Sequence, residues 1–171
     1  MAMQAPKRRI LQSVNRWMDA VEPELVEVFR ALVLGKAPWP LYLHGAPGRG
    51  KTFASLSLCD RAKTACYETI EGLCDATMNH DEELYGRWEA IQARELAILD
   101  EIGCRQQVGD LHYAIVKRFA DLRELHAGRI AVYVSNIGPN DVPALYDGRL
   151  ASRLLCGTWY ELKGKDRRVS T

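Results

Sequence analysis

Short apolar runs and longer stretches of helical period alternate along this chain, and the alternation predicts its elements. Leu25, Val26, Val28, Phe29, Leu32 and Val33 recur at helical spacing. A helix is therefore expected over 23–34, with Pro23 in its first turn and Gly35 as its stop. A shorter helical stretch is expected before it, at about 11–20. Pro38 and Pro40 separate this pair from the apolar run 41–44, which reads as a buried strand. A helix over about 51–62, a strand over 64–70 and a helical segment over 71–79 follow. The acidic stretch Asp81-Glu82-Glu83 caps a further helix to Gln92. Residues 96–100 form a third buried strand. Leu111, Ile115, Phe119, Leu122 and Leu125 share one face of a helix over 111–127, stopped by Gly128. A fourth strand over 129–135, a helix over 142–155 interrupted at Gly148, and a short fifth strand over 158–162 complete the series. Strands alternating with helices predict an α/β fold with a mostly parallel, five-stranded sheet in three layers.

Composition narrows the class. The chain has 171 residues, 47% hydrophobic and 26% charged, enough for one α/β domain and too few for two comfortable ones. Residues 1–38 read as a tail with linker helices, and 39–171 as the core domain. Twenty-three basic and 22 acidic residues leave a net charge of +1, which excludes a global basic field for nucleic acid but not a local patch. The five cysteines are odd in number and form no C-x-x-C pair. That argues against a disulfide framework or a zinc site and fits a reducing, cytoplasmic setting. No apolar run is long enough to span a bilayer, and no apolar segment follows Lys7-Arg8-Arg9, so neither a membrane partner nor a secretory signal is expected.

The chemistry starts at Gly45-Ala46-Pro47-Gly48-Arg49-Gly50-Lys51-Thr52, which fits G-x-x-x-x-G-K-[ST] at every fixed position. A strand leads in, and Phe53-Ala54-Ser55-Leu56 leads out as a helix. In that setting the glycines let successive N–H groups converge on phosphates. Lys51 would reach the β- and γ-phosphates of a nucleoside triphosphate, and the Thr52 hydroxyl would ligate Mg²⁺. Leu96-Ala97-Ile98-Leu99-Asp100-Glu101 then delivers two carboxylates to the C-terminal end of a buried strand, the edge where ligands sit in open parallel sheets. Asp100 is the candidate metal residue, and Glu101 the candidate to polarise the attacking water.

Three further features admit two readings each. Asn136, after Val132-Tyr133-Val134-Ser135, either contacts the γ-phosphate or its water, or serves as a turn-former before Gly138-Pro139. Arg149 and Arg153 lie four apart on one helical face, either as solvated surface arginines or as charges presented to the γ-phosphate of a neighbouring subunit. Lys163, Lys165, Arg167 and Arg168 form a basic tail that is either simply solvated or in contact with phosphate. His44, His80, His112 and His126 are scattered, with no pairing that suggests a base or ligands.

Taken in order, these segments resemble an AAA+ ATPase, and more narrowly the DnaC/IstB-like group of helicase loaders and transposition ATP-binding proteins. The resemblance runs over about 11–168. It rests on the phosphate loop, on L-A-I-L-D-E-I-G at 96–103, on the Ser135-Asn136 strand end, on Tyr146-Asp147-Gly148-Arg149-Leu150-Ala151-Ser152-Arg153-Leu154, and on the terminal Gly164-Lys165-Asp166-Arg167-Arg168. It implies nucleotide contacts from Gly45 through Thr52 and Phe53, a sensor-one role for Asn136 and an arginine finger at Arg153, with Arg149 the second candidate. Arg168 would take the sensor-two role. It also implies ATP and Mg²⁺ as cofactors, head-to-tail self-assembly, and a replicative helicase and single-stranded DNA as partners. An IstB-like regulator of transposition is the alternative, and a small-molecule P-loop kinase ranks last. Neither a helical lid nor a separate N-terminal helicase-gripping domain is expected. The Trp17 helix and Lys7-Arg8-Arg9 remain as partner contacts.

Overall fold

A computed structural model describes residues 21–60, 62–124 and 130–164. The expected helix over 11–20, Trp17, the Lys7-Arg8-Arg9 run, the 125–129 end of the long helix and Arg168 lie outside these residues. Along the chain come α1 (Pro23–Val33), β1 (Leu41–His44), α2 (Lys51–Ser57) with a 3-10 turn at Leu58–Asp60, β2 (Ala65–Thr69), α3 (Ile70–Met78), α4 (Leu84–Ala93), β3 (Leu96–Ile102), α5 (Asp110–Glu124), β4 (Ile130–Ser135), α6 (Val142–Leu155) and β5 (Thr158–Glu161).

The five strands form one all-parallel sheet in the order β2-β3-β4-β1-β5. Each central strand is apolar on both faces, as a sheet covered on both sides requires. Alternation sorts these residues into two cores. Leu41, Leu43, Leu96, Ile98, Val132 and Val134 pack with α1 and α2, while Tyr42, Ala97, Leu99, Ala131 and Tyr133 pack with α3, α4, α5 and α6. The result is the expected three-layer α/β arrangement.

Local chemistry explains the boundaries. At the end of α1, Gly35 adopts a left-handed φ of 67°. Its N–H donates to Leu32 O (3.1 Å) and the Lys36 N–H to Ala31 O (2.8 Å), a double closure that satisfies the last carbonyls. The break in α6 falls at Asp147 (φ 61°, ψ 163°) rather than at Gly148. The Asp147 carboxylate accepts from the N–H groups of Arg149 (2.8 Å) and Leu150 (2.9 Å). It thereby starts a fresh helical turn as an N-cap, which offsets the strained backbone. Inside the molecule, the buried Arg123 guanidinium donates to the carbonyls of Ile91, Arg94, Glu95 and Ile130 at 2.6–2.8 Å. It joins α5 to the segments entering β3 and β4.

Candidate nucleotide-binding site

Three strand ends meet at the C-terminal edge of the sheet: β1 opens into the glycine loop, β3 carries the carboxylates, and β4 leads to Asn136. Gly50 has a left-handed φ of 85° and delivers the chain directly into α2, a conformation that strains any residue with a side chain. Gly45 is fixed by proximity: a Cβ there would stand 2.6 Å from the Leu162 carbonyl oxygen. Arg49 ties the same turn to the chain beyond β5, donating to Lys163 O at 2.9 Å.

Lys51 is buried, and its ammonium donates to the loop's own carbonyls at Gly45 (2.7 Å) and Ala46 (2.9 Å). An anion entering the loop would meet this buried cation. Beside it, Thr52 Oγ1 donates to Asp100 Oδ2 at 2.6 Å. The same oxygen accepts from Tyr67 Oη at 2.8 Å, and Asp100 Oδ1 accepts the Glu101 N–H at 2.6 Å. Burial and the Asp100 charge push the Tyr67 phenol well above its usual range, so it remains a donor.

The strand slips register against β4 between Leu99 and Ile102, and Glu101 takes a left-handed φ of 73°. This irregularity turns Glu101 out to solvent at the edge of the cleft instead of into the α3–α6 core. Burial first, then the charges of Asp100 and Glu71, hold its carboxyl above the usual carboxylate range. Asn136 continues the β4 ladder through N–H to Ile102 O (3.1 Å), and its Nδ2 donates to Cys104 Sγ at 3.0 Å. Tyr42 Oη, reaching from β1 to Ile137 O (3.1 Å), fixes the loop behind it.

Gly50, Lys51, Thr52, Asp100, Glu101 and Asn136 thus border one cleft of about 470 Å³, with Pro47, Gly48 and Phe53 on its rim. A second, open cleft of about 1170 Å³ adjoins the loop on the β5 side, lined by Glu22, His44, Gly45, Ala46, Asn136 and Tyr160. The sequence reading leaves His44 without a role. Here it is buried, its Nε2 has no hydrogen-bond partner, and burial holds its pKa below the ordinary value.

The other expected site residues lie elsewhere. Arg153 forms ion pairs with Asp121 and, through Nε at 3.3 Å, with Glu124 on α5. Arg149 is exposed one turn earlier. Neither lines this cleft. Sequence reasoning missed Tyr67 and Cys104. Strand pairing brings Tyr67 to the site and a turn brings Cys104, and no motif marks either.

The donor set fits a magnesium nucleotide. Thr52 and Asp100 offer hard oxygen donors, and among the described residues no cluster of three or more His, Cys, Asp or Glu side chains makes a metal cage of its own. Mg²⁺ characteristically takes one or two protein oxygens and completes its shell with phosphates and water.

Solved structures place this architecture. DnaA from Aquifex aeolicus with AMPPCP bound matches with a TM-score of 0.65 and 19% identity over 83% of this chain. DnaA bound to AMPPCP and single-stranded DNA matches at 0.65 and 18% over 81%. The DnaC helicase loader matches at 0.59 and 13%, over 91% of this chain and 89% of its own. The likeness is one of fold, a three-layer α/β core shared with these proteins. The chain spans less than half of the two DnaA chains, 47% and 45%. No protein-family profile matches the sequence, and no curated protein matches it either. Among the described residues no helix is long and apolar enough to cross a membrane.

Proposed function

We propose that this chain is a DnaC-like AAA+ ATPase that binds ATP with Mg²⁺ in the cleft at the sheet edge and hydrolyses it. Its work would be in DNA replication, as a helicase loader or remodeller on single-stranded DNA. The observation that carries the reading is the junction of Lys51, Thr52 and Asp100. The amine donates to the Gly45 and Ala46 carbonyls, and the hydroxyl and carboxylate are paired 2.6 Å apart beside it.

The phosphates would lie across the loop with Lys51 turned from the Gly45 and Ala46 carbonyls onto their oxygens, an exchange of neutral for anionic partners. The adjoining cleft beside Gly45 and Ala46 leaves room for base and ribose. Bound Mg²⁺ would neutralise phosphate charge, held from Thr52 and Asp100. Glu101 would accept a proton from the attacking water. Its raised pKa makes it a better base than an ordinary surface carboxylate. Asn136, which donates to Cys104 Sγ and to Ile102 O, would orient that water or the γ-phosphate.

Head-to-tail assembly would bring Arg153, or Arg149, from α6 of one subunit to the phosphates of the next, and Arg168 would close over the nucleotide. Support for the partners comes from likeness alone: one similar DnaA structure holds AMPPCP and single-stranded DNA, and DnaC is a helicase loader.

A fluorescent ATP analogue titrated with and without Mg²⁺ tests the core of the proposal. Magnesium-dependent binding that Lys51→Ala abolishes supports it. Equal binding by wild type and Lys51→Ala would sink it.

A further inference from the structure

We propose that Tyr67 is a positioning residue for the metal-side carboxylate. Its hydroxyl fixes the rotamer of Asp100, so that a magnesium nucleotide meets a prealigned Thr52–Asp100 pair. The inference rests on the reading of Thr52 and Asp100 as the magnesium side of the site.

The argument begins with strand register. Tyr67 on β2 lies opposite Ile98 on β3, and Thr69 lies opposite Asp100. Residues two apart on a strand share a face. Ala65 and Ile98 both pack into the α1–α2 core, and Tyr67 packs against it. Asp100 is therefore on that face as well, diagonal to Tyr67 and beneath α2, where Thr52 stands. A phenol is long enough to span that diagonal, and its oxygen reaches Asp100 Oδ2 at 2.8 Å.

The carboxylate is 5% exposed, so water supplies few of its hydrogen bonds and protein donors must supply the rest. Three do so from three directions. The Glu101 N–H takes Oδ1, while Thr52 and Tyr67 share Oδ2. Remove Tyr67 and nothing from the β2 side opposes rotation of the carboxylate. The Thr52 hydroxyl is oriented by the same oxygen: its hydrogen points at Asp100, which leaves its lone pairs available to a cation in the cleft. The phenol thus acts on the metal site through Asp100, as outer partners of metal ligands do.

The test uses the full chain and a fluorescent ATP analogue, with wild type, Tyr67→Phe and Tyr67→Leu compared. Affinity is measured first in EDTA and then against Mg²⁺ concentration, with melting temperatures recorded alongside. Tyr67→Phe keeps the ring and deletes the donor. The expected result is unchanged affinity in EDTA and a half-saturating Mg²⁺ concentration raised about 10-fold, with Tyr67→Leu raised at least as much. If Tyr67→Phe binds Mg²⁺–nucleotide like wild type, the proposal is overturned, and impairment of Tyr67→Leu alone would assign the ring to packing. If wild type itself gains no affinity from Mg²⁺, the magnesium reading of Thr52 and Asp100 fails and this proposal falls with it.

Discussion

Thr52 Oγ1 and Asp100 Oδ2 stand 2.6 Å apart although 48 residues separate them in the chain. One lies in the first turn of the helix after the glycine loop, and the other lies near the end of β3, two places from β1 in the sheet. Their contact closes α2 onto β3 and sets the distance between phosphate loop and carboxylates. Preorganisation of this kind lowers the ordering cost of binding.

Lys51→Ala should weaken ATP binding on the order of 100-fold, the loss of one or two charge-assisted hydrogen bonds. Calorimetric titration checks this. The ammonium donates to carbonyls of its own loop, at Gly45 and Ala46, so the variant should fold normally, which circular dichroism verifies.

Glu101→Gln should bind ATP as wild type does and hydrolyse it at least about 100-fold more slowly. Its stability should differ with pH in a defined direction. Burial and Asp100 raise the native carboxyl's pKa, so ionisation costs the folded state more than the unfolded one. The variant should therefore be the more stable protein at neutral pH and above. That advantage should close as pH falls through the native pKa of Glu101, where both side chains are neutral. Thermal melts across pH 4–8 (roughly the span over which a raised carboxylate titrates) provide the check; a variant no more stable than wild type at pH 8 would contradict it.

Arg153→Ala should leave ATP binding nearly intact and remove most hydrolysis, by a factor on the order of 10³. Arg149→Ala is the comparison, because Arg149 is exposed whereas Arg153 is paired with Asp121 and Glu124. To act in trans, Arg153 must leave those partners. If Arg153→Ala hydrolyses at the wild-type rate and Arg149→Ala does not, the finger is Arg149.

Arg123→Leu should destabilise the fold by about 3 kcal/mol or more, since it strips four buried or part-buried carbonyls of their donor. Urea unfolding measures this; a loss below about 1 kcal/mol would mean that water or a relaxed backbone replaces the guanidinium.

Much of this site is legible in the sequence because its parts are local. The loop glycines, Lys51 and Thr52 are contiguous, and Asp100 and Glu101 follow a four-residue apolar run that reads as a buried strand. The α/β class follows from alternating periods for the same reason. Tyr67 is not legible: its role depends on which strand lies beside β3 and in which register, and neither is encoded within its own segment. Asp147 is a case of competing local signals. Glycine is the usual helix breaker, so Gly148 draws the break, yet an aspartate able to cap two N–H groups takes the strained conformation one residue earlier. Glu101 reads as a carboxylate at a strand end, but its turn out to solvent comes from a register slip that no spacing announces.

ATP hydrolysis per subunit, measured against protein concentration with and without single-stranded DNA, tests the central claim most directly. A site completed by a neighbour's arginine predicts a specific rate that climbs with concentration and climbs further when DNA gathers the subunits. A rate that is flat in concentration and indifferent to DNA would contradict it.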